Sequence, residues 1–245
     1  MSKLWGRFNL SLEVVNQIRN ELQAKGTEKN RQETKRFFKE ELKVYGVRTP
    51  QVRIIAKKFF AQIKDLPKTE IFGICEQLLK SGYTEEAVMA FLWSENLKKC
   101  FEPNDFLVFE KWLNCYVSNW AECDTLCNHT MGSFIEKYPS YIDNLKNWAK
   151  SSNRWMRRGA AVTLILPARK GKFLEDVLEV ADILLLDTDD LVQKGYGWML
   201  KEASKQHQTQ VFKYIMKNKA KMPRTALRYA IEKMPVELKK QAMKK

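Results

Sequence analysis

Apolar residues recur at three- and four-residue intervals along nearly the whole chain. The first such stretch places them at 12, 14, 15, 18 and 22, which predicts an amphipathic helix over Leu12–Leu22. Thr27 is a candidate cap, with Asn30 as the alternative, for a second helix reaching about Leu42 with Phe37, Phe38 and Leu42 as its apolar face. Thr49 followed by Pro50 reads as a cap with proline at the first helical position, so a third helix runs from there through Val52, Ile55 and Phe59 to about Ile63. The same rhythm predicts helices over Lys68–Lys80, Tyr83–Lys98, Pro103–Val117 and Trp120–His129, with a short one over Met131–Lys137. It continues over Pro139–Ala149, Asn153–Leu166, Phe173–Leu184 and Asp189–His207, and ends with Thr209–Lys217, Pro223–Lys233 and Pro235–Ala242. No stretch sustains strand alternation. The run Ile183-Leu184-Leu185-Leu186 fits either period, and its helical flanks assign it to helix.

Paired helices joined by short loops marked with Pro, Asn or Gly predict an all-α architecture, a superhelical solenoid of antiparallel HEAT-like pairs. Weak internal similarity agrees. Arg158-Gly159-Ala160 and Lys194-Gly195-Tyr196 lie 36 residues apart, and Trp120 and Trp155 lie 35 apart. An irregular helical bundle is the competing architecture. All 245 residues fit one repeat domain, and the 44% apolar content is ample for its core.

Charge sharpens this picture. The formal net charge is +14, which makes a polyanionic partner the natural expectation. The charge is also blocked. Lys146–Lys172 holds eight basic residues and no acidic one, Phe173–Asp190 seven acidic and no basic, and Lys201–Lys245 thirteen basic and three acidic. Such blocks suggest separate faces. No apolar run approaches membrane-spanning length and the first ten residues lack a signal-peptide core, so the expectation is a protein with no membrane contact in the cytoplasm or nucleus. Five cysteines without an export signal read as free thiols. Cys123 and Cys127 are one helical turn apart, but only His129 and His207 could join them, so no metal site and no cofactor are expected.

Three stretches carry candidate chemistry, each at the start of a predicted helix, and we expect them to face one groove. In Asn119-Trp120-Ala121-Glu122-Cys123-Asp124, Trp120 and Asp124 share a helix face, and an indole beside a carboxylate suits a cationic partner. The bland reading has Trp120 in the core and Asp124 capping a turn or meeting a lysine. In Asn153-Arg154-Trp155-Met156-Arg157-Arg158, three arginines within an acid-free block suggest guanidinium clamps on phosphate, against a solvated basic ridge. In Gln193-Lys194-Gly195-Tyr196-Gly197-Trp198, two glycines in one helix imply close approach by a neighbouring helix or a ligand backbone. Asn153 and Thr49 could add phosphate contacts, while Trp112 and Trp148 read as packing residues.

Over roughly Thr34–Met234 the chain resembles the AlkD-type DNA alkylation repair family of HEAT-like DNA glycosylases. The resemblance rests on Tyr45-Gly46-Val47-Arg48-Thr49-Pro50 with Arg53, Asn119-Trp120 with Asp124, Asn153–Ala161 with Arg158, and Gln193–Trp198, in that order and spacing. It implies a concave basic groove on duplex DNA carrying alkylated bases, worked by a monomer that is cytoplasmic, or nucleoid-associated if bacterial. It also implies cleavage of the N-glycosidic bond of N3-alkyladenine or N7-alkylguanine while the base stays largely stacked. By position, Asp124 resembles the catalytic carboxylate, Trp120 and Trp198 the aromatic walls at the lesion sugar, and Arg158 the holder of the adjoining phosphate. Arg48, Thr49, Arg53, Arg154, Arg157 and Lys194 are the further DNA-binding candidates. Family members often have Trp-Asp where this chain has Trp120-Ala121. No lysine is placed as a Schiff-base nucleophile, which implies a monofunctional enzyme. A non-catalytic HEAT-like DNA-binding protein and a scaffold for acidic protein tails are the rival functions.

Overall fold

The computed structural model describes residues 2–244, with side chains from residue 11 onward. Among them the chain is all-α; a lone parallel bridge between Lys43 and Tyr83 is the only extended pairing. The chain forms two compact units, residues 1–125 and 126–245.

In the first unit, α1 (Ser2–Lys25) packs on α3 (Thr49–Ile63) and α4 (Lys68–Leu79), burying Val14, Val15, Ile18 and Leu22. Helix α4 lies along α5 (Thr84–Asn96), and α3 packs on α5. Helix α6 (Asp105–Tyr116) sits on α4, and α7 (Trp120–Asp124) on α5. Every second helix therefore stacks on its counterpart, the mark of a helical repeat. The core between these layers is aromatic. Trp93 and Trp112 are fully buried, and the Trp93 indole N–H donates to the Ala56 carbonyl at 2.8 Å.

Helix α2 (Glu28–Phe37) departs from expectation. Thr27 caps it, accepting from the Asn30 amide at 3.2 Å, but it stops at Phe37 instead of reaching Leu42. A buried carboxylate claims the chain beyond. Glu85 accepts the amide N–H groups of Tyr45, Gly46 and Val47 at 3.0, 2.8 and 3.1 Å, holding that strand-like stretch extended. Gly46 has φ +82, and a Cβ there would fall 2.5 Å from the Thr27 carbonyl, so only glycine fits. At α3 the cap is Arg48 rather than Thr49, with Pro50 in the first turn.

The predicted break after His129 is absent. The chain instead runs from α7 through a π-helical turn, Thr125–Met131, into α8 (Gly132–Lys137). The Thr125 hydroxyl donates back to the Ala121 carbonyl at 2.7 Å, a bond that loosens the α-helical ladder where the π turn begins.

In the second unit, α9 (Ile142–Trp148) packs on α10 (Arg154–Thr163) and α12 (Leu174–Ile183). Helix α10 ends at Thr163, and α11 (Ile165–Arg169) follows a break set by Pro167, which has no N–H to donate to the Thr163 carbonyl four residues back. Helix α13 (Asp190–Ala203) packs on α10 and on α15 (Arg224–Ala230), and α14 (Gln208–Asn218) on α16 (Val236–Met243). Residues 184–186 form a turn, not helix.

The blocked charges do not lie on separate faces. Lys146 meets Glu179, Asp176 and Asp143 at 2.7, 3.0 and 3.1 Å, and the Glu179 and Asp176 carboxylates push its ammonium well above the usual lysine range. Arg154 pairs with Asp189 at 2.8 Å and Arg157 with Asp187 at 2.6 Å. The acidic stretch thus pairs with Lys146, Arg154 and Arg157 of the basic one across neighbouring helices.

Candidate functional site

The first group of site residues is built on α7. Asn119 caps it by accepting from the Glu122 amide at 3.0 Å. Glu122 itself is buried and accepts from the Ser118 amide at 2.8 Å and the Ser118 hydroxyl at 3.1 Å. These bonds tie the helix start to the residue before its cap, and burial of the Glu122 carboxyl pushes its pKa up. They pin the five residues carrying Trp120 and Asp124, both half-buried and one turn apart. Asp124 ends α7, immediately before the π turn.

Trp120 does not stand alone. Phe38 stacks on it at 5.3 Å with 22° between planes, and Phe37 meets it edge-on at 5.9 Å. Phe37 is 70% exposed. Such ring pairs contribute about 0.5–1.5 kcal/mol each beyond their area burial. This cluster was not foreseen, because the two phenylalanines read as one face of a longer helix. A signal was present: adjacent phenylalanines in the otherwise polar run Asn30–Glu41.

Beside the cluster lies a cavity of about 470 Å³, within the range of small-ligand pockets. Its walls include Phe37, Phe38, Val47, Val88 and Trp120, with Glu85, Thr49 and Arg53 as polar lining. Ala121 is part of the wall, so the departure from Trp-Asp places a methyl group at the cavity. Thr49 and Arg53 are thus gathered round the same space as Trp120, whereas Arg48 is exposed and donates to the Asn30 side-chain oxygen at 3.3 Å. Among the described residues Arg53 is exposed and its side chain makes no hydrogen bond or ion pair.

The second group is built on α10 and α13. Asn153 caps α10, accepting from the Trp155 amide at 2.9 Å, and Asp189 caps α13, accepting from the Leu191 and Val192 amides at 2.9 and 3.3 Å. Arg158 is only 5% exposed, and its guanidinium donates to the Leu191 carbonyl. A Cβ on Gly195 would lie 3.4 Å from Arg158 Cγ, ordinary van der Waals contact, so the arginine lies along α13 with room for a methyl group at that position. Gly197 serves α15 instead, since a Cβ there would fall 2.7 Å from the Ala226 carbonyl. Both glycines face protein neighbours. Trp198 follows, half-buried, and Lys194 is half-buried and paired with Asp190 at 3.2 Å. Arg154 stacks over the Trp155 ring at 4.9 Å, and Arg157 also donates to the Ser151 and Ser152 carbonyls at 3.0 and 2.9 Å. Arg154 and Arg157 are thus tied to the acidic turn before α13, while Arg158 lies against α13 itself.

Cys123 and Cys127 are fully buried, and no helix among the described residues is long and apolar enough to cross a membrane.

Residues 18–234 match the family model described as DNA alkylation repair enzyme. The chain belongs to that family. Membership assigns it an enzymatic part in DNA alkylation repair, with DNA as its partner. A solved structure described as "Predicted DNA alkylation repair enzyme from Enterococcus faecalis" superposes with a TM-score of 0.78, at 14% identity over 86% of this chain and 98% of that chain. At that identity the likeness establishes a shared all-helical repeat fold. No curated relative matches the sequence.

Proposed function

We propose that this repair protein is a monofunctional DNA glycosylase that releases cationic alkylated purines, N3-alkyladenine and N7-alkylguanine, from duplex DNA. The observation that carries the reading is the carboxylate of Asp124 one turn from an indole that is itself buttressed by two phenylalanines, on a helix start locked by Asn119 and Glu122. Binding a polyanion gives no reason to place a carboxylate there. Cleaving a glycosidic bond does.

An alkylated ring nitrogen makes the purine cationic. The C1′–N bond breaks with its electron pair going to the base, which departs neutral, and positive charge develops on the sugar. Asp124 stabilises that charge and orients the water whose oxygen bonds to C1′ and whose proton is released. The Trp120 face supports the same charge by cation–π attraction, and Trp198 supplies a second aromatic wall. No acid is needed to protonate the leaving group, so a second carboxylate is not required. Arg158 holds the phosphate beside the lesion, with Arg48, Thr49, Arg53, Arg154, Arg157 and Lys194 as further backbone contacts. The base stays stacked and the enzyme acts on the sugar.

The test is release of free base from duplex DNA containing N7-methylguanine. Wild type exceeds the spontaneous rate, Asp124→Asn loses on the order of 100-fold or more, as expected for removing a fixed charge from the reacting centre, and Arg158→Ala also falls, each with its fold intact. Release at only the spontaneous rate by wild type, with tight salt-sensitive binding, would leave a non-catalytic DNA-binding protein.

A further inference from the structure

The net positive charge of this protein has to be displayed somewhere, and much of the acid-free stretch 146–172 is already paired. Lys146, Arg154 and Arg157 each face carboxylates of the acidic run that follows them. Lys170 and Lys172 share Glu136 at 2.7 and 3.3 Å. The C-terminal helices differ. Lys213, Lys217 and Lys221 on and just after α14, Arg224 and Arg228 on α15, and Lys240 on α16 are all exposed. Among the described residues none of the six makes a side-chain hydrogen bond or ion pair.

The acids that could neutralise them are engaged elsewhere. Glu202 is held by Arg169 and Lys205, both at 2.6 Å, and Glu232 by Lys201 at 2.9 Å. Of the three acidic residues after Lys201, only Glu237 is left to the exposed surface of α16. The lysines are also held in a fixed frame. Helix α14 buries Val211, Tyr214 and Ile215 and turns Lys213 and Lys217, four residues apart, to solvent. Lys219 ties α14 to α16 by donating to the Gln241 and Lys244 carbonyls at 3.2 and 3.0 Å. Lys213 and Lys217, one helical turn apart with no counter-charge beside them among the described residues, repel each other, and a polyanion relieves that repulsion.

We propose that α14–α16 form a second, sequence-independent contact for the phosphate backbone of duplex DNA, one that supplies affinity and takes no part in bond cleavage. This rests on DNA as the partner but not on the glycosylase chemistry: its part in affinity is tested on undamaged DNA, and only its separation from bond cleavage on damaged duplex.

The experiment measures Kd for an undamaged duplex across a salt series, comparing wild type with Lys213→Gln/Lys217→Gln/Lys221→Gln. A charge-matched control, Lys170→Gln/Lys172→Gln/Lys205→Gln, removes three lysines that are already paired. Each lost phosphate contact lowers the magnitude of the slope of log K against log salt by about 0.9. The α14 variant is therefore expected to lose about 2–3 from that slope and the control less than about 1, with Lys→Arg at the three α14 positions restoring it. At saturating protein, base release from damaged duplex by the α14 variant stays at the wild-type rate. An unchanged slope, or an equal fall in the control, would overturn the proposal, the second because net charge alone would then suffice. So would a lower saturated rate, which would put these lysines in the chemistry. Stronger binding to phosphatidylserine vesicles than to duplex at equal phosphate would assign the surface to membranes instead.

Discussion

Two glycines on one helix, two residues apart, are expected to respond to alanine in opposite directions. Replacing either removes the same helix penalty, about 1 kcal/mol per glycine relative to alanine. Their surroundings differ. A Cβ on Gly195 would lie 3.4 Å from Arg158 Cγ and 3.6 Å from its nearer guanidinium nitrogen, which is ordinary van der Waals contact with a side chain. A Cβ on Gly197 would lie 2.7 Å from both the Ala226 carbonyl oxygen and Tyr229 Cβ. The carbonyl belongs to the backbone of α15 and cannot swing aside, so α13 and α15 must separate. Overpacking of this kind costs about 1–3 kcal/mol. Because the helix gain is common to both, it cancels in the comparison, and Gly197→Ala should be about 1–3 kcal/mol less stable than Gly195→Ala. Equilibrium urea unfolding reads the difference directly. With a slope of about 2–3 kcal/mol per molar, a 2 kcal/mol gap separates the midpoints by about 0.7–1 M. Gly195→Ala should meet or exceed wild type in midpoint and keep its base release, since Arg158 retains its berth. Equal midpoints for the two variants, with unchanged slopes, would refute the assignment of Gly197 to helix contact.

Glu85→Gln should destabilise the first unit by about 2–4 kcal/mol and weaken DNA binding, because hydrogen bonds to a charged group are worth about 1.5–3 kcal/mol each and an amide cannot accept all three N–H groups. Unchanged hydrogen exchange at Tyr45, Gly46 and Val47 would count against it. Trp120→Ala should slow base release at saturating protein by about 2- to 30-fold, the rate equivalent of a cation–π contribution of about 0.5–2 kcal/mol, with Trp120→Phe between the two; a fall in affinity with no fall in that rate would make the indole a support only. Glu122 gives a pH test. Its folded pKa is raised by burial, so the protonated form favours folding, and that contribution is complete below the unfolded value of 4.5 and lost as pH rises through the folded value. Glu122→Gln should therefore gain stability relative to wild type as pH rises from about 4.5 towards neutrality, and a difference constant over that window would show that the carboxyl titrates as in the unfolded chain.

The local grammar of the chain was enough to fix its class. Thr27, Asn119, Asn153 and Asp189 cap helices through bonds to amides two or three residues on, and these are short-range interactions that a linear reading can see. The apolar spacing marked most helices for the same reason. The resemblance read from the order of Trp120, Asp124, Arg158 and Trp198 named the family to which the chain belongs. Other features came from partners distant in sequence. Helix α2 ends at Phe37 because Glu85, far along the chain, binds the backbone beyond it and Phe38 stacks on Trp120. The π turn after Asp124 leaves no break in the hydrophobic period. Charge shows the difference most plainly. Composition fixes the total at +14, but which cations remain available depends on which carboxylates lie within about 4 Å, and only packing brings Arg154 to Asp189 and leaves Lys213 without a partner among the described residues. Sequence determines the charges a helix carries; tertiary structure decides which of them another helix has already neutralised.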